Sequence, residues 1–128
     1  MQLQTARWVK KAEADWRGAQ RLDCEPDRLN DIIGFHCQQA AEKYLKALLQ
    51  QLGQPVPRTH NLEDLLDLLL PHDSTLKSIR RSLISLTDFA VDYRYPGMSG
   101  TTRQAKAALR AAERVRNELR QRLGLKPG

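Results

Sequence analysis

Phe35-His36-Cys37-Gln38-Gln39-Ala40-Ala41-Glu42-Lys43-Tyr44-Leu45-Lys46-Ala47-Leu48-Leu49 contains neither glycine nor proline, and its spacing predicts a continuous helix. Ile33, Cys37, Ala40, Tyr44 and Leu48 fall three or four residues apart, so their side chains share one helical face. His36, Gln39, Lys43, Lys46 and Gln50 repeat at the same spacing, turned about 100° per residue away. They are expected to border the buried seam rather than point straight out. A core helix needs the apolar spacing. It does not need an ordered row of hydrogen-bonding and cationic groups beside it, so this row is either a first candidate for binding or a polar helix edge with Gln and Lys chosen for helix propensity.

The rest of the chain reads as helices that pack around this one. Only 5% of its 128 residues are aromatic, Ala and Leu are abundant, and β-branched residues are few, a mixture that favours helices over strands. The first helix is expected over roughly Leu3–Leu22, with a seam of Val9, Ala12, Trp16 and Ala19. Pro26 breaks it, and Asp23–Asp27 offers caps for the second helix, which runs to about Leu52 and spans about 35–40 Å. Gly53 and then Pro55 and Pro57 stop that helix. A short leucine-rich helix follows, with Asn61 as its N-cap and Pro71 as its end. Asp73 or Ser74 opens a fourth, whose seam is Leu76, Ile79, Leu83, Leu86, Ala90 and Tyr93. Thr101-Thr102-Arg103-Gln104 has the form of a capping box, and the last helix carries Ala105, Ala108, Ala112, Val115 and Leu119. The expected fold is all-α: an antiparallel four-helix up-and-down bundle with an additional short helix across one end, built as one domain over residues 1–128.

Composition narrows the function classes. Cys24 and Cys37 have no metal-ligand spacing, and a buried thiol is the simplest reading of Cys37. No apolar run is long enough to cross a bilayer and Met1–Lys11 lacks a signal-peptide core, so a soluble, cytoplasmic protein is expected. The net charge of +6 belongs to one element. Residues 1–100 balance 13 basic against 13 acidic side chains, whereas residues 101–128 set eight Lys/Arg against Glu113 and Glu118. Arg103, Lys106, Arg110 and Arg114 fall along one face of the last helix, either as a solvated face or as an attraction for phosphate or an acidic protein. The zinc-protease, nucleophile-elbow, P-loop and dinucleotide-binding motifs are all absent from the sequence. No cofactor and no metal is implied.

Two further patches carry chemistry. Arg58-Thr59-His60-Asn61 precedes the short helix, where backbone donors can hold an anion beside Arg58 and His60, or simply be capped. Asp92-Tyr93-Arg94-Tyr95-Pro96-Gly97 lies at the end of the fourth helix; Arg94 between Tyr93 and Tyr95 suits phosphate with a ring stacked on a base, or an ion pair with Asp92 or a neighbouring helix.

The three patches, in this order, resemble the HEPN family (higher eukaryotes and prokaryotes nucleotide-binding). Phe35-His36-x-Gln38-Gln39-Ala40-Ala41-Glu42-Lys43-x-Leu45-Lys46-Ala47-Leu48 is similar to that family's second-helix signature. Thr59-His60-Asn61-Leu62 with Leu65-Leu66 is similar to its next block, and Tyr93-Arg94-Tyr95-Pro96 to its third. The resemblance covers about residues 3–123. It implies a helical bundle that commonly forms a homodimer and pairs with a minimal nucleotidyltransferase-type protein, often as a toxin–antitoxin couple. It also implies nucleotide or RNA phosphate binding, for which Gln39, Lys43, Lys46, Arg58, His60, Tyr93, Arg94 and Tyr95 are the candidate residues.

Many members are metal-independent RNases that use an Arg-x(4–6)-His motif. Here Arg94 is followed by Tyr95-Pro96-Gly97-Met98-Ser99-Gly100 and no histidine occurs after His72, while Arg28 and His36 have seven residues between them. The expectation therefore leans away from an enzyme and towards a binding domain. The alternatives are an RNase toxin, with His36, His60 and Arg94 as catalytic candidates, and a purely protein-interacting module.

Overall fold

A computed structural model describes residues 1–92 and 95–127. Five α-helices and one 3-10 segment make up the fold: α1 (Leu3–Asp23), α2 (Asn30–Gln51), α3 (Leu62–Leu69), the 3-10 segment Ser74–Ile79, α4 (Arg80–Asp92) and α5 (Thr102–Arg122). No strand occurs among the described residues. The chain is all-α, as the periodicity predicts.

Side-chain pairs give the helix directions. Asp15 and Glu13 of α1 meet Lys43 and Tyr44 of α2, and Trp8 lies under Lys46, so α1 and α2 are antiparallel. Phe89 packs against Gly34 and Gly100, which sets α4 antiparallel to α2. At the other end Arg122 reaches Asp73 and Thr75, and Arg114 reaches Ser78, so α5 runs back along α4. This is the up-and-down order. α2 is its central member, packed against α1, α3, α4 and α5.

That position explains the composition of α2. The predicted stripe of Ile33, Cys37, Ala40, Tyr44 and Leu48 is buried, and Ala41, Leu45, Ala47 and Leu49 are buried with it. A helix surrounded by neighbours needs apolar side chains over most of its circumference. Each buried Leu contributes roughly 1.5–3 kcal/mol relative to exposure. Small residues on the neighbouring seams, Ala12 and Ala19 of α1 and Ala105, Ala108 and Ala112 of α5, are buried against the core and let the helices approach closely. Leu62, Leu65, Leu66 and Leu69 bury the inner face of α3 against α2 and α4.

Several ends follow the expected chemistry. Asn61 Oδ1 accepts the Asp64 amide at 3.0 Å. Thr101 and Gln104 form both halves of the capping box, at 3.1 and 2.8 Å. Three details differ. The N-cap of α2 is Leu29, left-handed at φ 51° with no side-chain cap, rather than a residue of Asp23–Asp27. Asn30 and Asp31 instead bond the chain before α5: Asn30 donates to Gly100 O at 3.2 Å, and Asp31 Oδ1 accepts the Gly100 amide at 2.7 Å. The segment opening at Ser74 is a 3-10 helix up to Ile79, and α4 proper begins at Arg80. Finally, Phe89 is buried where the spacing nominated Ala90, which is only half-buried; Tyr93, also nominated, lies outside the described residues.

Candidate functional site

The polar row of α2 divides between two carboxylates. On its α1 side, Asp15 binds both His36 and Lys43: Oδ1 meets His36 Nδ1 at 2.9 Å, and Oδ2 accepts Lys43 Nζ at 2.5 Å. On its other side the chain after Gly53 turns back along α2, and His60 lands on Glu42. Its Nδ1 lies 3.0 and 3.2 Å from the two carboxylate oxygens. Gln38 Nε2 donates to His60 O at 3.4 Å and fixes the same segment through its backbone. Gln39 joins this network by donating to Gln38 Oε1 at 2.9 Å.

The burial within this cluster is uneven, and that decides what it can do. The Glu42 side chain is 4% exposed and Lys46, 3.1 Å from it, 6%, whereas His60 is 79% exposed. A buried carboxylate needs paired charge and hydrogen bonds to offset its desolvation. Lys46 supplies the charge from one turn away and also lies 5.6 Å from the Trp8 ring centroid. His60 supplies the second contact from solvent. A carboxylate only accepts, so the Nδ1 proton points at Glu42, and among the described residues Nε2 has no hydrogen bond. The result is an oriented imidazole on a buried acid–base pair.

Not all the candidates meet. Gln39, Lys46 and His60 belong to the Glu42 network; His36 and Lys43 belong to Asp15. Arg58 is exposed two residues before His60. Tyr95 is 62% exposed, in the loop that returns to the N-terminus of α2 at Asn30 and Asp31. Asp31 and Glu42 stand about 16 Å apart along the helix at 1.5 Å per residue, so the loop after α4 and the His60 segment meet α2 at different heights. Tyr93 and Arg94 lie outside the described residues. Among the described residues no group of three or more His, Cys, Asp or Glu side chains is placed to hold a metal ion.

Asp15, which anchors His36 and Lys43 from another helix, escaped the sequence reading, and Glu42 stood in the second-helix signature without being nominated for the site, because its role depends on His60 returning 18 residues later. The one local signal was Asp15 beside the seam residue Trp16 in a helix otherwise rich in Lys and Arg. A third network stitches the helices further along. Glu13 accepts two hydrogen bonds from Arg116, at 2.8 and 2.7 Å, and one from Tyr44 at 2.5 Å, while Arg120 donates to the Tyr44 hydroxyl at 3.0 Å. Burial works to raise the Glu13 carboxyl, but the Arg116 and Tyr44 hydrogen bonds and the two guanidinium charges hold it below its usual value. Tyr44 is pushed up to about 12, by burial and then by Glu13.

An up-and-down helical bundle whose central helix carries a polar face between two histidine–carboxylate pairs is the class that the fold and this geometry define. The chain belongs to the HEPN family: the model of the HEPN domain matches residues 5–122. Comparison with the curated proteins and with the solved structures gave no match.

Proposed function

We propose that this HEPN domain binds the phosphate of a nucleotide or of RNA at the Glu42–Lys46–His60 face of α2. In this reading it acts as a homodimer with a minimal nucleotidyltransferase-type partner, as one member of a toxin–antitoxin-like pair. The observation that carries the ligand is the return of Thr59–Asn61 onto α2, which holds His60 Nδ1 on Glu42 with the ring 79% exposed and a buried Lys46–Glu42 pair behind it. Arg58, exposed two residues before His60, adds cationic character nearby. The dimer draws support from Leu29, Ile32 and Phe35, which are 48, 46 and 54% exposed at the N-terminal end of α2. Tyr95 and Met98 (51%) are exposed in the loop that returns there. Apolar groups gathered in this way mark interaction surfaces.

Isothermal titration with ATP, GTP and a short RNA tests the ligand. Wild type is expected to bind at least one of them, with about tenfold loss of ATP or GTP affinity, or ~1.4 kcal/mol, in His60→Ala. A wild type that binds none of the three removes the nucleotide part of the reading.

The carboxylate-held imidazoles favour one second reading, a metal-independent RNase in which His60 or His36 transfers a proton. RNA left intact by the dimer in chelator, with no growth arrest on expression, would dismiss it.

A further inference from the structure

A groove of about 500 Å³ runs between α4 and α5, sharing no residue with the α2 face. Arg81 stands on its α4 wall; Arg110 and Arg114 stand on its α5 wall. Hydroxyls of Ser82 and Ser85, and of Ser78 from the preceding 3-10 segment, lie along the same side as Arg81, one turn or slightly less apart. Ala111 is the only apolar side chain in the lining.

The charge of this groove is uncompensated, in contrast to most partly buried arginines of the bundle. Arg80 is paired with Glu63 and Asp67, Arg116 and Arg120 with Glu13, and Arg122 with Asp73 and Glu118. Arg81 and Arg110 form no ion pair among the described residues, and Arg114 makes only a 3.5 Å contact with Ser78 O. Glu113 and Glu118 line the adjacent depression on the other flank of Arg110 and Arg114, not this groove. Like charges held on facing helices repel one another. Guanidinium groups and hydroxyls together are donors for phosphate oxygens.

From these features we infer that the α4–α5 groove binds the sugar–phosphate backbone of a single nucleic-acid strand without reading its bases. Ser78 to Ser85 spans about 11 Å, at about 2 Å per residue up to Arg80 and about 1.5 Å beyond it, room for two successive phosphates between the two arginine-bearing walls. The lining has no aromatic ring on which a base would stack, so base identity has nothing to act on. An acidic protein helix fits less well, because the centre of a protein interface is depleted of charge and this floor offers almost no apolar surface.

Fluorescence anisotropy of the full chain with labelled oligo(U) and oligo(A), over a salt series, tests the groove. Both probes are expected to bind wild type with similar affinity. Arg81→Ala/Arg110→Ala is expected to weaken both at least tenfold and to lower the slope of log K against log salt by about 1.4, two phosphate contacts at ~0.7 each. Both arginines are exposed and form no ion pair among the described residues, so the variant should melt as wild type does. His60→Ala, which probes the α2 face, is expected to leave this binding in place. Wild-type affinity and slope in the double variant would overturn the inference. So would loss of binding through His60→Ala alone, failure of wild type to bind either probe, or equally tight binding of oligo-glutamate.

Discussion

At the scale of single residues, Gly34 and Phe89 show how a local rule is overruled by packing. Gly34 is buried within α2, where replacing glycine by alanine ordinarily stabilises a helix by roughly 1 kcal/mol. Here a Cβ would lie 1.8 Å from the Phe89 ring, and one on Gly100 would lie 2.8 Å from the same ring. Gly34→Ala is therefore expected to cost about 1–3 kcal/mol in urea denaturation, the usual range for forcing volume into a packed core. In a Phe89→Ala background the same change is expected to be neutral or stabilising. A more stable Gly34→Ala in the otherwise native chain would contradict this. The ring's place was not legible in the sequence, because the glycines that admit it lie 55 residues before and 11 residues after Phe89, and spacing along α4 alone nominated Ala90. Cys37 was legible. Its thiol is fully buried and pushed up to about 12 by burial, whereas Cys24 is exposed. A thiol titration of the folded protein is expected to count Cys24 alone, with Cys37 reacting only in denaturant.

At the scale of elements, apolar spacing and turn chemistry largely placed the helices, since capping and proline stops are local effects. The start of α2 was the exception, because Asn30 and Asp31 serve the chain before α5 and leave Leu29 at positive φ. Cross-helix polar contacts were the larger omission. Glu13 joins α1 to Tyr44 of α2 and to Arg116 of α5, yet nothing in its own neighbourhood announces either partner. Glu13→Gln is expected to destabilise by about 1–3 kcal/mol near neutral pH, since it removes the charge that Arg116 and Arg120 face. The acid dependence has a definite sign. A carboxyl held below its ordinary 4.5 in the fold stabilises above that value, and loses its contribution as pH falls through the folded value. The gap between wild type and Glu13→Gln should thus close in acid. Tyr44 acts at the opposite extreme. Its hydroxyl ionises near 12 when folded against an ordinary 10, so the unfolded chain loses its proton first and stability falls between those values. Tyr44→Phe is expected to abolish that part of the alkaline decline in chemical denaturation.

At the scale of the whole molecule, the sequence revealed the residues of the α2 face but not their partition. His36, Lys43 and Lys46 were legible as one row and His60 as a separate patch, whereas their division between Asp15 and Glu42 depends on how α1 and the returning segment flank the helix. The basic excess of residues 101–128 was legible too, and the bundle directs Arg110 and Arg114 from it into the groove beside α4. Charge then separates the two proposed kinds of association. Two copies of a chain with net charge +6 repel each other, so a dimer built on Leu29, Ile32 and Phe35 must form against that field. Added salt screens exposed charges over about 8 Å at physiological strength, and is expected to tighten the dimer while weakening nucleic-acid binding. Sedimentation across a salt series would give the first trend and anisotropy the second. Phe35→Asp should yield a monomer at all salt concentrations with little change in melting temperature, because Phe35 is 54% exposed and lies outside the buried core, edge-on to the His36 ring. A wild type that stays monomeric in high salt would rule out this face as a self-association surface, and a dimer that dissociates as salt rises would assign the contact to ion pairs instead.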